Sequence, residues 1–421
     1  MTLSIRHNII RPIAWCLLMI MAGVLGACGF DEPDNPEPVP EPPTEVTRAV
    51  LVYMVANNSL GSSTVPGEEE YGRGFDKSDL REMAKAAREG SLGANRLLVY
   101  HHAYLSEPRM LEITPDGERE LKEYDTSELS VSTSRMTRVI DDFMELAPAR
   151  NYGIVLWSHA DGWLDNGIDE EAQTIRPKGF GVDGALSNKM NITTLAKVLE
   201  RYSFDYVYFD CCHMAGVEVA YELRNSTPYI VGSVSELPSP GMPYDRTLPH
   251  LMADEVSAEE LTAAAKETFD FYNSQENPWD RTCTISVIST AGMEALADAV
   301  GAICDTHPEL SPGYEGQRFI KNRCRYYDLQ HYLLGLTRRD REDEGLPQRE
   351  LLYAQAVEAI NEVVVYKAAT PWLWEGYLTD QVKIESHCGL STYIKRSADD
   401  GDNYGYRRLE WWTDVMSRMW P

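Results

Sequence analysis

His159 and Cys212 each close an apolar run of strand-forming residues, and a thiol beside an imidazole is the minimal equipment for nucleophilic attack on a peptide carbonyl. The first run is Tyr152-Gly-Ile-Val-Leu-Trp-Ser-His159. The second, Tyr206-Val-Tyr-Phe-Asp-Cys-Cys-His-Met214, breaks off in Asp210 and a cysteine pair. In a parallel sheet the carboxyl ends of the strands gather at one edge, so two residues 53 apart can meet there. Taken singly, a buried cysteine or histidine is most often a packing residue. The vicinal Cys-Cys-His also raises zinc, but the C-x₂-C knuckle spacing of structural zinc is missing, so no metal ligand is assigned.

The elements that must position this pair alternate along the chain. Ala49 to Ala56 is a continuous apolar run of strand length, as in a strand covered on both faces. Asp79 to Glu89 reads as helix, Arg96 to His102 and Arg109 to Ile113 as strands, and Pro115-Asp-Gly117 as a turn. Helical periodicity covers Ser134 to Ala147, followed by the strand ending at Ser158 and a long polar loop. Phe180 to Asp183 is strand-like, residues 193–201 are helical, and the strand Tyr206 to Asp210 follows. A helix from about Ala215 to Arg224 and a strand Tyr229 to Ser233 continue the pattern. Beyond them come a helix over 258–273, a strand Cys283 to Ser289 and a helix Ala291 to Cys304. Helices between about Gln348 and Ala368 and a strand-like Gly389 to Ile394 close the chain. This alternation predicts an α/β fold, a mostly parallel sheet with helices on both faces. No G-x-G-x-x-G or P-loop pattern supports nucleotide chemistry.

The chain has 421 residues, 43% apolar and 25% charged, which is ordinary globular composition. Its formal net charge of −27 argues against nucleic acid as a partner, because phosphates demand clustered Lys and Arg. Residues 1–27 carry Arg6 and Arg11 before a mostly apolar stretch, the pattern of an export signal. Leu25-Gly26-Ala27-Cys28 is similar to the lipobox of bacterial lipoproteins, which implies lipidation of Cys28. An ordinary secretory signal uses the same apolar stretch, whereas a transmembrane helix needs a longer one. Residues 28–47, rich in Pro and Glu, read as an extended tether. Acidic Asp31, Glu32 and Asp34 after Cys28 resemble a surface-export tag, so an outer-membrane, surface-exposed lipoprotein is expected. Six cysteines spread over the folded part do not form a dense disulfide scaffold, and no obligatory disulfide framework is expected.

Several motifs now combine. Tyr53-Met-x-Ala-Asn-Asn58-x-Leu60, Leu156-Trp-Ser-His159-x-x-Gly162-Trp163 and Phe209-Asp-x-Cys212-x-Met214-x-x-x-Glu218-Val-Ala-Tyr-Glu222 resemble the clostripain family of cysteine peptidases. Val234-Ser-Glu236, Pro240-Gly-x-Pro-Tyr244 and a late Gly389-Leu-Ser-x-Tyr393 extend the resemblance. The His-to-Cys spacing also falls near the roughly 50 residues found in caspases. The resemblance implies a caspase-like core over 48–255 with a mixed α/β extension over 256–421 packed on it. It implies Cys212 as nucleophile, its thiol pKa lowered by His159 and by the amino terminus of the Met214–Glu222 segment. His159 would protonate the leaving amine. The backbone N–H groups of Ala160 and Cys212 would form the oxyanion hole.

Asp210 would lie in an S1 pocket that favours Arg or Lys; a cap on the following helix is the alternative reading. Glu236 is a second pocket candidate, or a solvated loop carboxylate. The chain departs from the family pattern at Ala160 (usually Gly), Cys211 (usually Ala) and His213 (usually Leu), the last either perturbing the site or pointing to solvent. Calcium dependence occurs in the family, but no D-x-[DN]-x-[DN]-G loop places an ion, so no cofactor is assignable. The polar stretch Asp165 to Lys178 invites nicking. Members of the family are activated by a cut there, and Lys178-Gly179 is the expected bond, since Pro177 spoils cleavage after Arg176.

The expected function is a lipid-anchored cysteine endopeptidase cleaving protein or peptide substrates after Arg or Lys through a thioester. Its rivals are a non-catalytic binding lipoprotein that keeps the fold and a peptidase of different P1 preference, asparaginyl for instance. Oligomeric state is not legible.

Overall fold

A computed structural model describes residues 46–164, 179–184, 188–310, 314–320, 326–338, 345–374, 381–394 and 403–419. Expectations about residues 1–45, with Cys28, and about Arg176 and Lys178 lie outside the described residues. The first apolar run becomes strand β1 (Arg48–Val55) because its side chains serve two cores in turn. Ala49, Leu51, Tyr53 and Val55 enter one core and Val50, Val52 and Met54 the other, and all are buried. That double burial is why the run shows no apolar–polar alternation.

The strands that follow are β2 (Arg96–His102), β3 (Arg109–Thr114), β4 (Gly117–Glu123), β5 (Asn151–Trp157), β6 (Phe180–Asp183) and β7 (Asn188–Met190). Next come β8 (Tyr206–Asp210), β9 (Tyr229–Gly232), β10 (Thr284–Ser289), β11 (Tyr327–Asp328) and β12 (Val364–Ala369). Last are β13 (Trp372–Trp374), β14 (Gln381–Lys383) and β15 (Ser391–Thr392). The main sheet has nine strands in the order β12-β10-β9-β8-β5-β1-β2-β3-β4. Its centre, β9-β8-β5-β1-β2, is parallel, and antiparallel strands finish both edges. β6 pairs with β7, β11 with β15 and β13 with β14.

The helices divide between the two faces. α1 (Ser59–Ser62) is a single turn after β1; α2 (Phe75–Arg88) packs with two later helices over the core that holds Val50 and Val52. α3 (Thr133–Leu146), α4 (Ile192–Leu199) and α5 (Val217–Glu222) cover the opposite face. α6 (Tyr244–Leu251) and α7 (Ala258–Asn273) join α2. α8 (Met293–Cys304), α9 (Leu329–Thr337) and α10 (Leu346–Val363) join α3. This is the mostly parallel α/β sheet, helices on both faces, that the sequence predicts.

Several short elements, α6 and α9 among them, were not read from the sequence, and two differences fall at the edges of the main sheet. Residues 364–368, read as the end of a helix, form edge strand β12, where the β-branched run Val363-Val364-Val365 favours extended backbone. β4, Gly-Glu-Arg-Glu-Leu-Lys-Glu, is an exposed edge strand whose charges hide any apolar alternation and protect the edge from pairing. The sheet also crosses residue 255, since β10 and β12 extend it beyond β9, and Glu45–Pro421 forms one compact unit. Chain from the far end reaches back to the centre: the Ser391 amide donates to the Ala215 carbonyl at 3.0 Å.

Candidate active site

β5 and β8 are parallel neighbours in a register that pairs Trp157 with Asp210, so the residues just past each strand emerge at one edge of the sheet. β1 flanks β5 on its other side, and its continuation, Asn57 to Ser59, arrives at the same edge. These ends, with Tyr104 and Leu105 after β2 and Glu236 to Gly241 (Pro240 apart) after β9, line a cleft of about 800 Å³. His159, Ala160, Asp210, Cys212 and Glu236 all line it. The structure thus brings together every predicted site residue that is described.

Cys212 is half-buried, its thiol donating to the Leu237 carbonyl at 3.7 Å and accepting from the Leu237 amide at 3.4 Å. Burial pushes the thiol up to about 12, with the Leu237 amide pulling back and the Glu236 and Asp161 carboxylates adding to the rise. The expected lowering of this thiol is therefore not present in the free protein. Helix α5 begins only at Val217, too far along the chain for its amino terminus to act on Sγ, and desolvation wins. His159 is held below its ordinary 6.5, first by burial and then by Lys189, with Asp161 and Glu236 opposing. With the thiol raised and the imidazole lowered, both groups favour their neutral forms near pH 7.

The two amides expected to hold an oxyanion, those of Ala160 and Cys212, donate no hydrogen bond among the described residues. The chain beside Ala160 is fixed instead by its neighbours: Asp161 N–H donates to Gly179 at 3.0 Å and Gly181 N–H to the His159 carbonyl at 2.9 Å. Lys189 closes this side through an ion pair with Asp161.

Asp210 is buried and accepts from the Met242 amide and the Tyr244 hydroxyl, each at 3.0 Å. It does not cap α5, whose first turn follows Gly216, so the helix-cap reading is set aside. Burial pushes its carboxyl up to about 7, with the two donors opposing the rise and the nearby Glu82 adding to it. Gly241, at φ 69°, lets the loop cross this carboxylate; a Cβ there would stand 2.8 Å from both Asp210 oxygens. Asp79, also buried, accepts from Trp157 Nε1 at 2.6 Å, and burial raises its carboxyl well above the ordinary range. Glu236 is half-buried on the cleft wall. Among the described residues no group of three or more His, Cys, Asp or Glu stands close enough to hold a metal ion.

His213 does not point to solvent, although it lines the cleft. It is buried at φ 62°, its ring stacked on Tyr326 with centroids 4.6 Å apart. A left-handed non-glycine residue directly after Cys212 is a strained turn fixed by its packing. Sequence reasoning passed over Ser59, whose hydroxyl lies 2.8 Å from His159 Nε2, and over Asp161 and Lys189. For Ser59 and Asp161 the available signal was position, since polar residues just past an apolar strand end share the edge where His159 emerges; Lys189, inside β7, offered none.

The model of the clostripain family matches residues 52–386. An inactive zymogen C11 protease from Parabacteroides distasonis is similar in structure, with 27% identity, a TM-score of 0.71, and coverage of 89% of this chain and 99% of that one. A secreted C11 cysteine protease from Bacteroides thetaiotaomicron, solved with an irreversible peptide inhibitor, shares 28% identity at a TM-score of 0.70 over 88% of this chain and 99% of that one. No curated protein matches the sequence.

Proposed function

The chain belongs to the clostripain family of cysteine peptidases, and from that premise we propose that it is an endopeptidase cleaving after Arg or Lys through Cys212 and His159. One observation carries the reading: the thiol and the imidazole leave adjacent parallel strands into one cleft beside two undonated amides. Cys212 Sγ attacks the scissile carbonyl as its proton passes to His159. The new oxyanion is held by the amides of Ala160 and Cys212, donors that need no reorganisation. Collapse breaks the C–N bond, His159 gives its proton to the amine, and a thioester remains. Water, deprotonated by the same imidazole, then releases the acid and restores the thiol.

Asp210 supplies specificity. A P1 guanidinium or ammonium entering the cleft draws to its ionised form a carboxyl that burial and Glu82 raise to about 7, and the resulting pair is shielded from water. Glu236 adds negative charge at the wall. The proposal also includes export directed by residues 1–27, lipidation of Cys28, and a tether over 28–47 that holds the peptidase domain outside the outer membrane; composition supports this. Self-cleavage at Lys178-Gly179 completes it.

Peptides varied at P1, assayed with the soluble chain and its Cys212→Ala variant, test the reading. Turnover of Arg and Lys peptides alone, lost in the variant, is the expected result. Equal turnover of neutral P1 peptides would sink the specificity, and turnover by Cys212→Ala would sink the nucleophile.

A further inference from the structure

Ser59 stands at the end of β1, on the side of β5 opposite Cys212, and its Oγ lies 2.8 Å from Nε2 of His159. The backbone around it is held on both sides. Asn58 accepts from the Leu60 amide and donates to the carbonyls of Val55 and Val182, all at 2.8 Å. The Ser63 hydroxyl donates to the Ser59 carbonyl at 2.6 Å. A serine so fixed spends little entropy in keeping its hydroxyl aimed at the ring. Among the described residues no partner engages Nδ1, which leaves that nitrogen for the thiol and the leaving group.

We propose that Ser59 is a positioning residue for His159: its Oγ accepts the Nε2–H, selecting the tautomer with a bare Nδ1 and fixing the ring in the cleft. The inference rests on the Cys–His reading of the site. During acylation the thiol proton passes from Sγ to Nδ1 as the C–S bond forms, and from Nδ1 to the amine as the C–N bond breaks. The Nε2–H···Oγ bond persists throughout, and Ser59 gains and loses no proton. The charged groups that face His159 are Asp161, Lys189 and Glu236. To these Ser59 adds direction without charge. A carboxylate in its place would hold the imidazolium more tightly and delay proton return to the amine.

The test uses the whole chain with Ser59→Ala and Ser59→Thr. Ser59→Ala is expected to lower kcat about tenfold or more while KM stays within about twofold, and Ser59→Thr, which keeps the hydroxyl, to recover most of the loss. A second readout needs no turnover: ring ¹⁵N chemical shifts of His159 in the Cys212→Ala background should show the Nε2–H tautomer with Ser59 and a mixture without it. Unchanged kcat in Ser59→Ala, equal losses in both variants, or an Nδ1–H tautomer beside intact Ser59 would each overturn the proposal. A wild-type chain that cleaves no peptide and takes no label at Cys212 refutes the peptidase reading instead, and the tautomer still decides on Ser59.

Discussion

Cys211 and Cys212 are one peptide bond apart, yet their surroundings give them different work. Cys211 belongs to the core under the sheet, where burial raises its thiol well above the ordinary range. Cys212 exchanges hydrogen bonds with the Leu237 backbone at the cleft wall. Cys211→Ala should therefore keep labelling by an electrophilic peptide and cost about 1 kcal/mol in stability, the ordinary effect of a small core truncation. Loss of labelling in that variant would shift the nucleophile by one residue. Asp210 makes a second prediction, on pH. Its carboxyl, raised to about 7, must ionise to pair with a cationic P1 group, so kcat/KM for Arg and Lys peptides should rise as pH increases through about 7. His159, held below 6.5, sets a separate limb at lower pH for every substrate, because only the neutral ring accepts the thiol proton. Asp210→Asn should erase the upper limb and lower kcat/KM on basic peptides at least about thirtyfold, the equivalent of about 2 kcal/mol. An Asn variant whose profile still rises near 7 would assign that limb to another group.

Among the elements, α5 shows how a short buried helix is tied to distant chain. All six of its residues are buried, and Glu218 Oε1 accepts from Thr392 Oγ1 at 2.9 Å and Tyr393 N–H at 2.8 Å. Burial pushes Glu218 up to about 7 from an ordinary 4.5. The folded state thus favours the protonated acid, and the stability this gives is full below about 4.5 and fades as pH rises through about 7. Melting temperature should fall between about pH 4.5 and 7, and Glu218→Gln should flatten part of that fall. Glu222, also raised to about 7, retains its own share. Glu218→Ala, which strands the Thr392 and Tyr393 donors, should cost about 1–3 kcal/mol at both pH values. A Gln variant as steep as wild type would exonerate Glu218. The sequence showed this helix and its motif but not its partner, because contacts across the chain leave no local period. β1, β2 and β8 were legible for the opposite reason: each is a continuous apolar run whose length marks a covered strand. Helix α10 and β12 could not be separated, since one apolar stretch serves both and only the sheet edge decides where helix ends.

At the scale of the molecule, the sheet order decides what a cut would do. Leu164 and Gly179 lie between β5 and β6, so cleavage there separates β1 to β5 from the strands that follow. Yet β5 pairs with β8 from Gly153–Tyr206 to Trp157–Asp210, and strands from both fragments contribute to both cores. A chain nicked at Lys178 should run as two bands under denaturing conditions and keep its native mass on size-exclusion chromatography. Separation of the fragments under native conditions would contradict the pairing. The meeting of Cys212 and His159 in one cleft was readable because each follows a strand; the walls of the cleft were not, since Ser59, Lys189 and the 236–241 loop meet only when the sheet assembles.

The tie between Ser391 and Ala215 also sets a schedule. The turn after Cys212 receives its last support from a residue made 179 positions later. At ribosomal speeds of about 5–20 residues per second, that support arrives on the order of 10 to 40 seconds after the thiol itself. Ribosome-bound chains halted near residue 385 should take no label at Cys212, while full-length chains should. With labelling confined to full-length chains, the unfinished protein would pose no proteolytic hazard while it is still being made.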